Sequence, residues 1–206
     1  MSSLNNKFNN IFIHNPKVAG SWMEKKDFIQ GAGHQSIYGY YKEGIDIEKY
    51  FKWMFVRNPY DRLVSSFHYS RRTIGGKNVS MRNHFWMLES FEKYILNLDE
   101  LFDFSQKNFD VNLQEFINVH IVPQYYFACI NDEVVLDFVG RFEELEVGWE
   151  YVCGKIGVNS NVEKSNQSLR KGHWIDFYTS ELFEAVNEKY AKDFEIFDFP
   201  RYSVIK

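Results

Sequence analysis

The sequence predicts an α/β fold, one domain with a helical insertion, and three observations lead there. The apolar run Ile11-Phe12-Ile13 stops at Asn15-Pro16 and reopens through Lys17, small residues and Ser21, which reads as strand, loop and helix. The aromatic and β-branched run Phe51-Lys52-Trp53-Met54-Phe55-Val56 ends abruptly at Arg57-Asn58-Pro59 and feeds a second helix. The length, 206 residues with 45% hydrophobic side chains, suits a single α/β domain that buries a sizeable core.

Charge and cysteine content narrow the function classes. A net charge of −4 excludes a general nucleic-acid binder, so any anion site must be local. No stretch approaches the ~18 apolar residues of a membrane span. The Asn-rich residues 1–10 lack the apolar core of a signal peptide, so a cytoplasmic chain without a membrane span is expected. Cys129 and Cys153 show no CxxC spacing and no surrounding histidines; they are expected as buried small hydrophobes, with no metal site.

Taken in order, the first strand leads into residues 14–22, where Lys17, Gly20 and Ser21 open a helix. Such a turn aims backbone N–H groups and one cation at a single point where an anion can sit. Lys17 precedes Gly20, so this is not the GxxxxGK[ST] loop of nucleotide hydrolases, and a plain β-turn-α connection stays open. Residues 21–29 suit a short helix ended by Gly31-Ala32-Gly33, with His34 next, either a capping residue or a base with a pKa near neutrality. Residues 45–50 suit another short helix before the strand at residues 51–56. Asn58 as N-cap, Pro59 at the first helical position and Asp61 in the first turn then make a strong helix start. Leu63, Val64 and Phe67 form its apolar stripe. Arg57 at the strand end and Ser65 about a turn beyond Asp61 could share an anion; alternatively Arg57 pairs with Asp61.

Residues 71–110 read as a mostly helical insertion with a basic edge, and residues 112–119 as a short amphipathic helix. Pro123 breaks the chain after His120, before the aromatic run Tyr125-Tyr126-Phe127. Asn131-Asp132-Glu133 is a turn, residues 134–140 a strand, and the chain turns helical from Glu143. Residues 157–173 form a polar loop whose Lys164, Ser165, Arg170 and Lys171 could wrap a phosphate or merely link elements. Thr179 caps the last helix, in which Leu182, Phe183, Val186 and Tyr190 recur as a core stripe.

Two motifs now carry a resemblance. Ile11-Phe12-Ile13-His14-Asn15-Pro16-Lys17-Val18-Ala19-Gly20-Ser21 resembles the 5′-phosphosulfate loop, PKTAGTS or PKTGTT, of sulfotransferases that use 3′-phosphoadenosine 5′-phosphosulfate (PAPS). Phe55-Val56-Arg57-Asn58-Pro59-Tyr60-Asp61-Arg62-Leu63-Val64-Ser65-Ser66 resembles the 3′-phosphate motif of that family. Gly33-His34, His120-Ile121-Val122-Pro123-Gln124 and residues 137–145 extend the likeness over nearly the whole chain, toward the carbohydrate (Golgi-type and bacterial) branch. The implied fold is a P-loop-like three-layer domain with a central, mostly parallel sheet flanked by helices. Val18 and Trp22 stand where the family pattern has hydroxyl residues.

The resemblance implies roles. Lys17 would neutralise charge on the oxygen leaving with the 5′-phosphate, and the amides of Val18, Ala19, Gly20, Ser21 and Trp22 would hold its other oxygens. Arg57 and Ser65 would grip the 3′-phosphate, with Arg170 and Lys171 adding charge from the polar loop. His34, whose setting Gly33-His34-Gln35-Ser36 resembles the base-bearing segment of the hexuronic 2-O-sulfotransferases, would take the acceptor's proton; His120 is the runner-up. His120 and Gln124 would contact a hydroxylated acceptor, a carbohydrate by branch. The expected donor is PAPS, with PAP as product and no metal. An ATP-dependent small-molecule kinase and a degenerate PAPS- or PAP-binding protein are the alternatives.

Overall fold

The computed structural model describes residues 4–23, 29, 33–74, 85–107, 120–160 and 172–203. In chain order they form β1 (Leu4–Asn5), β2 (Asn10–Phe12), α1 (Gly20–Met23), α2 (Ile37–Lys42), β3 (Phe51–Val56), α3 (Pro59–Ile74), α4 (Phe91–Leu96) and α5 (Leu98–Lys107). There follow α6 (Tyr125–Ala128), β4 (Cys129–Ile130), β5 (Glu133–Val134), β6 (Phe138–Arg141), α7 (Leu145–Ile156), α8 (Ser180–Lys189) and α9 (Ala191–Ile196). They gather into two compact units: Met1–Arg57 with Gln124–Gln167, and Asn58–Pro123 with Ser168–Lys206. Where the sequence suggests one domain with an insertion, the C-terminal helices share a unit with that insertion.

The first unit holds a sheet in the order β1-β2-β3-β6, parallel except for β1. β2 is buried throughout and β3 at every residue but Phe51, so both read as continuous apolar runs rather than alternating ones. Phe12, Val18, Met23, Ile29, Trp53 and Phe55 pack with Trp149, Val152 and Cys153 of α7 into one core. Burying each large side chain of this kind contributes about 1.5–3 kcal/mol relative to exposure. Gly140 and Gly148 make room for Phe55: a Cβ on either would stand 2.4 or 2.6 Å from its ring. Gly157, at φ +71°, ends α7 in the left-handed conformation that suits glycine.

Several expectations are corrected here. The run at 134–140 is not one strand: β5 pairs antiparallel with β4, while β6 joins the main sheet beside β3. Asp137 causes the break, since its carboxylate accepts from the Lys52 amide at 2.7 Å and pairs with the buried Lys52 ammonium at 3.0 Å. Asn131 and Asp132, at φ +52° and +65°, form the two-residue turn between β4 and β5, as their type favours. Residues 45–50 shorten to a 3₁₀ turn at Ile47–Lys49, because Tyr50 is already extended and the Phe51 amide bonds to the Asn9 carbonyl. The helix read at 21–29 is α1 as far as Met23; residues 24–28 and the helix read at 112–119 lie outside the described residues.

The second unit is helical. Asn58 caps α3, its side-chain oxygen accepting from the Tyr60 amide at 3.0 Å, and Leu63, Val64 and Phe67 are buried as their spacing requires. The Tyr60 ring meets Trp174, Tyr178, Phe183, Phe194 and Tyr202 at centroid distances of 5.0–5.8 Å. This aromatic cluster binds the C-terminal helices to α3. Thr179 caps α8, and Leu182, Phe183, Val186 and Tyr190 are buried along one face.

Candidate functional site

The connection from β2 to α1 is shaped by its backbone. The Ile13 amide continues the sheet by donating to the Trp53 carbonyl at 2.9 Å, and the Asn15 amide then turns back to the Ile13 carbonyl at 3.0 Å. Beyond Pro16, Lys17 and Ala19 adopt φ +69° and +66°, conformations that cost non-glycine residues energy and cluster at functional loops. Alternating hand along a loop is how backbone N–H groups converge into an anion-binding concavity. Lys17 and Ala19 are half-buried. Val18 is wholly buried in the core, so only its main chain is presented at the loop. A core side chain thus stands where the family pattern has a hydroxyl residue. Residues 14–23 contain no acidic side chain, which makes the donor set suited to an anion.

Asn15 and Gln124 lock this loop to the end of β3. The Asn15 amide nitrogen donates to the Phe55 carbonyl at 3.0 Å and to the Gln124 side-chain oxygen at 2.8 Å. That oxygen also accepts from the Arg57 amide at 3.0 Å, and the Gln124 amide nitrogen donates to the Arg57 carbonyl at 2.8 Å. Gln124, expected from sequence to touch the acceptor, is wholly buried and held by these bonds. Arg57 is 6% exposed; its guanidinium lies 4.3 Å over the Phe142 ring and donates to the Lys17 carbonyl at 3.1 Å. Because β2 and β3 are parallel neighbours, Lys17 and Arg57 follow the carboxyl ends of adjacent strands, where open α/β sheets place their ligands.

His34 belongs to the same unit. Its Nδ1 lies 2.9 Å from the His14 carbonyl oxygen. A carbonyl only accepts, so Nδ1 carries the proton and, in the neutral ring, Nε2 keeps the lone pair of a base. The His14 and His34 rings pack at 4.2 Å with 42° between their planes. Sequence alone does not single out His14 and Asn15: Asn-Pro reads only as a turn signal, and a histidine at a strand end carries no periodic pattern to mark it.

The remaining candidates are placed as follows. Gly20 starts α1 against the His14 ring, and Ser21 and Trp22 follow in the helix. Ser65 is half-buried on α3, in the second unit. His120, also in the second unit, is buried and stacked on Tyr69 at 5.1 Å. Arg170 and Lys171 lie outside the described residues. Burial raises the phenol of Tyr94 to about 12 and those of Tyr178 and Tyr190 well above the ordinary range. These second-unit phenols stay neutral at physiological pH.

The chain matches the sulfotransferase family over residues 6–200. It is 24% identical over 180 residues to carbohydrate sulfotransferase 14 of Danio rerio, covering 75% of this chain and 45% of that protein. It is 25% identical over 179 residues to carbohydrate sulfotransferase 11 of Rattus norvegicus, covering 76% of this chain and 49% of that protein. The chain thus spans about half the length of these curated relatives, and no solved structure matches it significantly. Matched over most of its length, the chain belongs to the sulfotransferase family.

Proposed function

We propose that the protein is an enzyme that transfers a sulfuryl group from PAPS to a hydroxyl of a carbohydrate. The observation that carries this is the gathering of Lys17, Arg57 and His34 around one loop of the first unit, with Arg57 bonded to the Lys17 carbonyl and His34 to the His14 carbonyl. The carbohydrate acceptor is supported by the names of the relatives.

In this reading the β2–α1 loop serves as a P-loop-like phosphosulfate loop, its amides from Val18 to Trp22 and the Lys17 ammonium holding the 5′-phosphate. Arg57 reads the 3′-phosphate; the same role for Ser65 rests on the motif. Bound PAPS supplies a sulfuryl group activated by its link to the 5′-phosphate. His34 Nε2 takes the proton of the acceptor hydroxyl, whose oxygen forms the new bond to sulfur. Lys17 balances the charge left on the phosphate oxygen as the old S–O bond breaks. A positioned base contributes about 10²–10⁴-fold, and most of the rest comes from placement and charge stabilisation. The kinase alternative has no support from the relatives.

The test is ligand-induced stabilisation and calorimetry with PAP, ADP, ATP and adenosine 5′-phosphate. PAP binds best, and Arg57→Ala weakens PAP far more than adenosine 5′-phosphate. Equal losses for both ligands remove Arg57 from the 3′-phosphate; no stabilisation by millimolar PAP removes the donor assignment.

A further inference from the structure

His14 has no role in the chemistry above, yet its main chain and its ring both bear on the base. Its carbonyl oxygen takes the Nδ1 proton of His34 at 2.9 Å, and its ring packs on the His34 ring at 4.2 Å. The ring is also stacked with Phe12 at 5.6 Å and 21°. The edge of the ring rests on Gly20: a Cβ at residue 20 would stand 1.8 Å from His14 Nε2 and 2.3 Å from Cδ2. No side chain fits between them. Gly20 needs no left-handed backbone, so at this position the glycine is required by the histidine ring rather than by its own φ. The ring is 6% exposed, which leaves it little room to reach substrate.

We infer that His14 is a positioning residue that sets the base against the phosphate loop. Its ring is a flat spacer that touches both Gly20 at the start of α1 and the imidazole of His34, and its carbonyl selects the tautomer in which Nε2 carries the lone pair that accepts a proton. The phosphate loop and the base are then one mechanical piece: whatever moves Gly20 moves the His14 ring, and with it His34. A base displaced by about 1 Å can lose on the order of 10²-fold in rate, so a spacer of this kind is felt in turnover rather than in donor binding. The catalytic part of the inference rests on His34 being the base; the hold of His14 on His34 does not.

The test pairs nitrogen NMR of the imidazoles with kinetics, on His14→Leu, which keeps apolar volume, and His14→Phe, which keeps a flat ring. In the wild type His34 is in the Nδ1–H tautomer. With no ring to hold His34 against the residue 14 carbonyl, His14→Leu should mix the tautomers, lower kcat by about 10-fold or more, and leave PAP affinity within about 3-fold. His14→Phe should restore the tautomer and most of kcat. Gly20→Ala should disturb His34 in the same spectra, and the additional change His14→Ala should relieve that disturbance by removing the ring from the path of the new methyl. An unchanged His34 tautomer in His14→Leu, or a Gly20→Ala effect that His14→Ala does not relieve, overturns the inference. If the tautomer mixes while kcat holds, His14 still positions His34, and it is the assignment of His34 as base that fails.

Discussion

Replacing Gln124 by Leu removes one side chain that satisfies three partners at once. Its oxygen accepts from Asn15 and from the Arg57 amide, its nitrogen donates to the Arg57 carbonyl, and the residue has no exposed surface. Leucine fills most of the volume but meets none of these groups. The Asn15 nitrogen keeps its bond to the Phe55 carbonyl, so the main loss falls on the Arg57 amide and carbonyl. A buried backbone group left without a partner costs about 1–3 kcal/mol, which for two groups predicts a loss of about 2–6 kcal/mol. Because the Arg57 guanidinium is bonded to the Lys17 carbonyl, the displacement also reaches the β2–α1 loop, and on the proposed function PAP affinity should fall with stability. Urea denaturation and PAP calorimetry measure the two effects. A Gln124→Leu protein as stable as wild type, with normal PAP binding and a raised KM for the acceptor, would refute this reasoning and return Gln124 to the acceptor site.

Three further outcomes are expected. Val18→Thr places a hydroxyl in the apolar core, so denaturation should show a loss of about 1–2 kcal/mol and calorimetry no gain in PAP affinity; tighter PAP binding would show that the side chain faces the phosphate after all. Asp137→Ala leaves the Lys52 ammonium buried without its closest carboxylate and should destabilise by about 2–3 kcal/mol, discounted from the fully buried case because Asp137 is itself half-exposed; adding Lys52→Met should recover part of the loss. The phenols of Tyr94, Tyr178 and Tyr190 have folded pKa values raised above their unfolded values, so the stability they contribute is complete below about pH 10 and is lost as pH rises beyond it. For Tyr94, with a folded value of about 12, the loss approaches 3 kcal/mol. Ionisation of all 13 tyrosines near pH 10 while the fold stays intact would contradict this burial.

The elements legible from sequence were those set by local rules. The strand at Phe51–Val56 is an apolar and aromatic run interrupted by Lys52 alone, and α3 starts where Asn58 and Pro59 place it. The stripe of α8 follows from its 3.6-residue period. What sequence missed depends on partners distant along the chain. The break between β5 and β6 needs Asp137 to find Lys52, 85 residues away, and local propensity across 134–140 gives no hint of it. Gln124 reads as a polar residue free to meet substrate until Asn15 and Arg57, 109 and 67 residues away, are brought to it. Val18 reads as a lost hydroxyl because the motif records residue types and not which way a side chain faces. Sequence singles out Lys17, Arg57 and His34 because cations at strand ends and a histidine after a glycine-rich turn carry their chemistry in their residue type. The His14 contacts that tie His34 to the loop carry no such mark.

The central claim is tested most directly by sulfuryl transfer itself, followed with radiolabelled PAPS and a panel of carbohydrate acceptors for wild type, Lys17→Ala and His34→Ala, beside PAP calorimetry on each. Wild type should label an acceptor. His34→Ala should keep PAP affinity within a few-fold and lose about 10²-fold or more in turnover, whereas Lys17→Ala should lose both, since its cation meets the phosphate in the ground state and the charge that grows in the transition state. Near-normal turnover by His34→Ala would take the base from His34. A wild-type protein that neither binds PAP nor labels any acceptor would contradict the account as a whole.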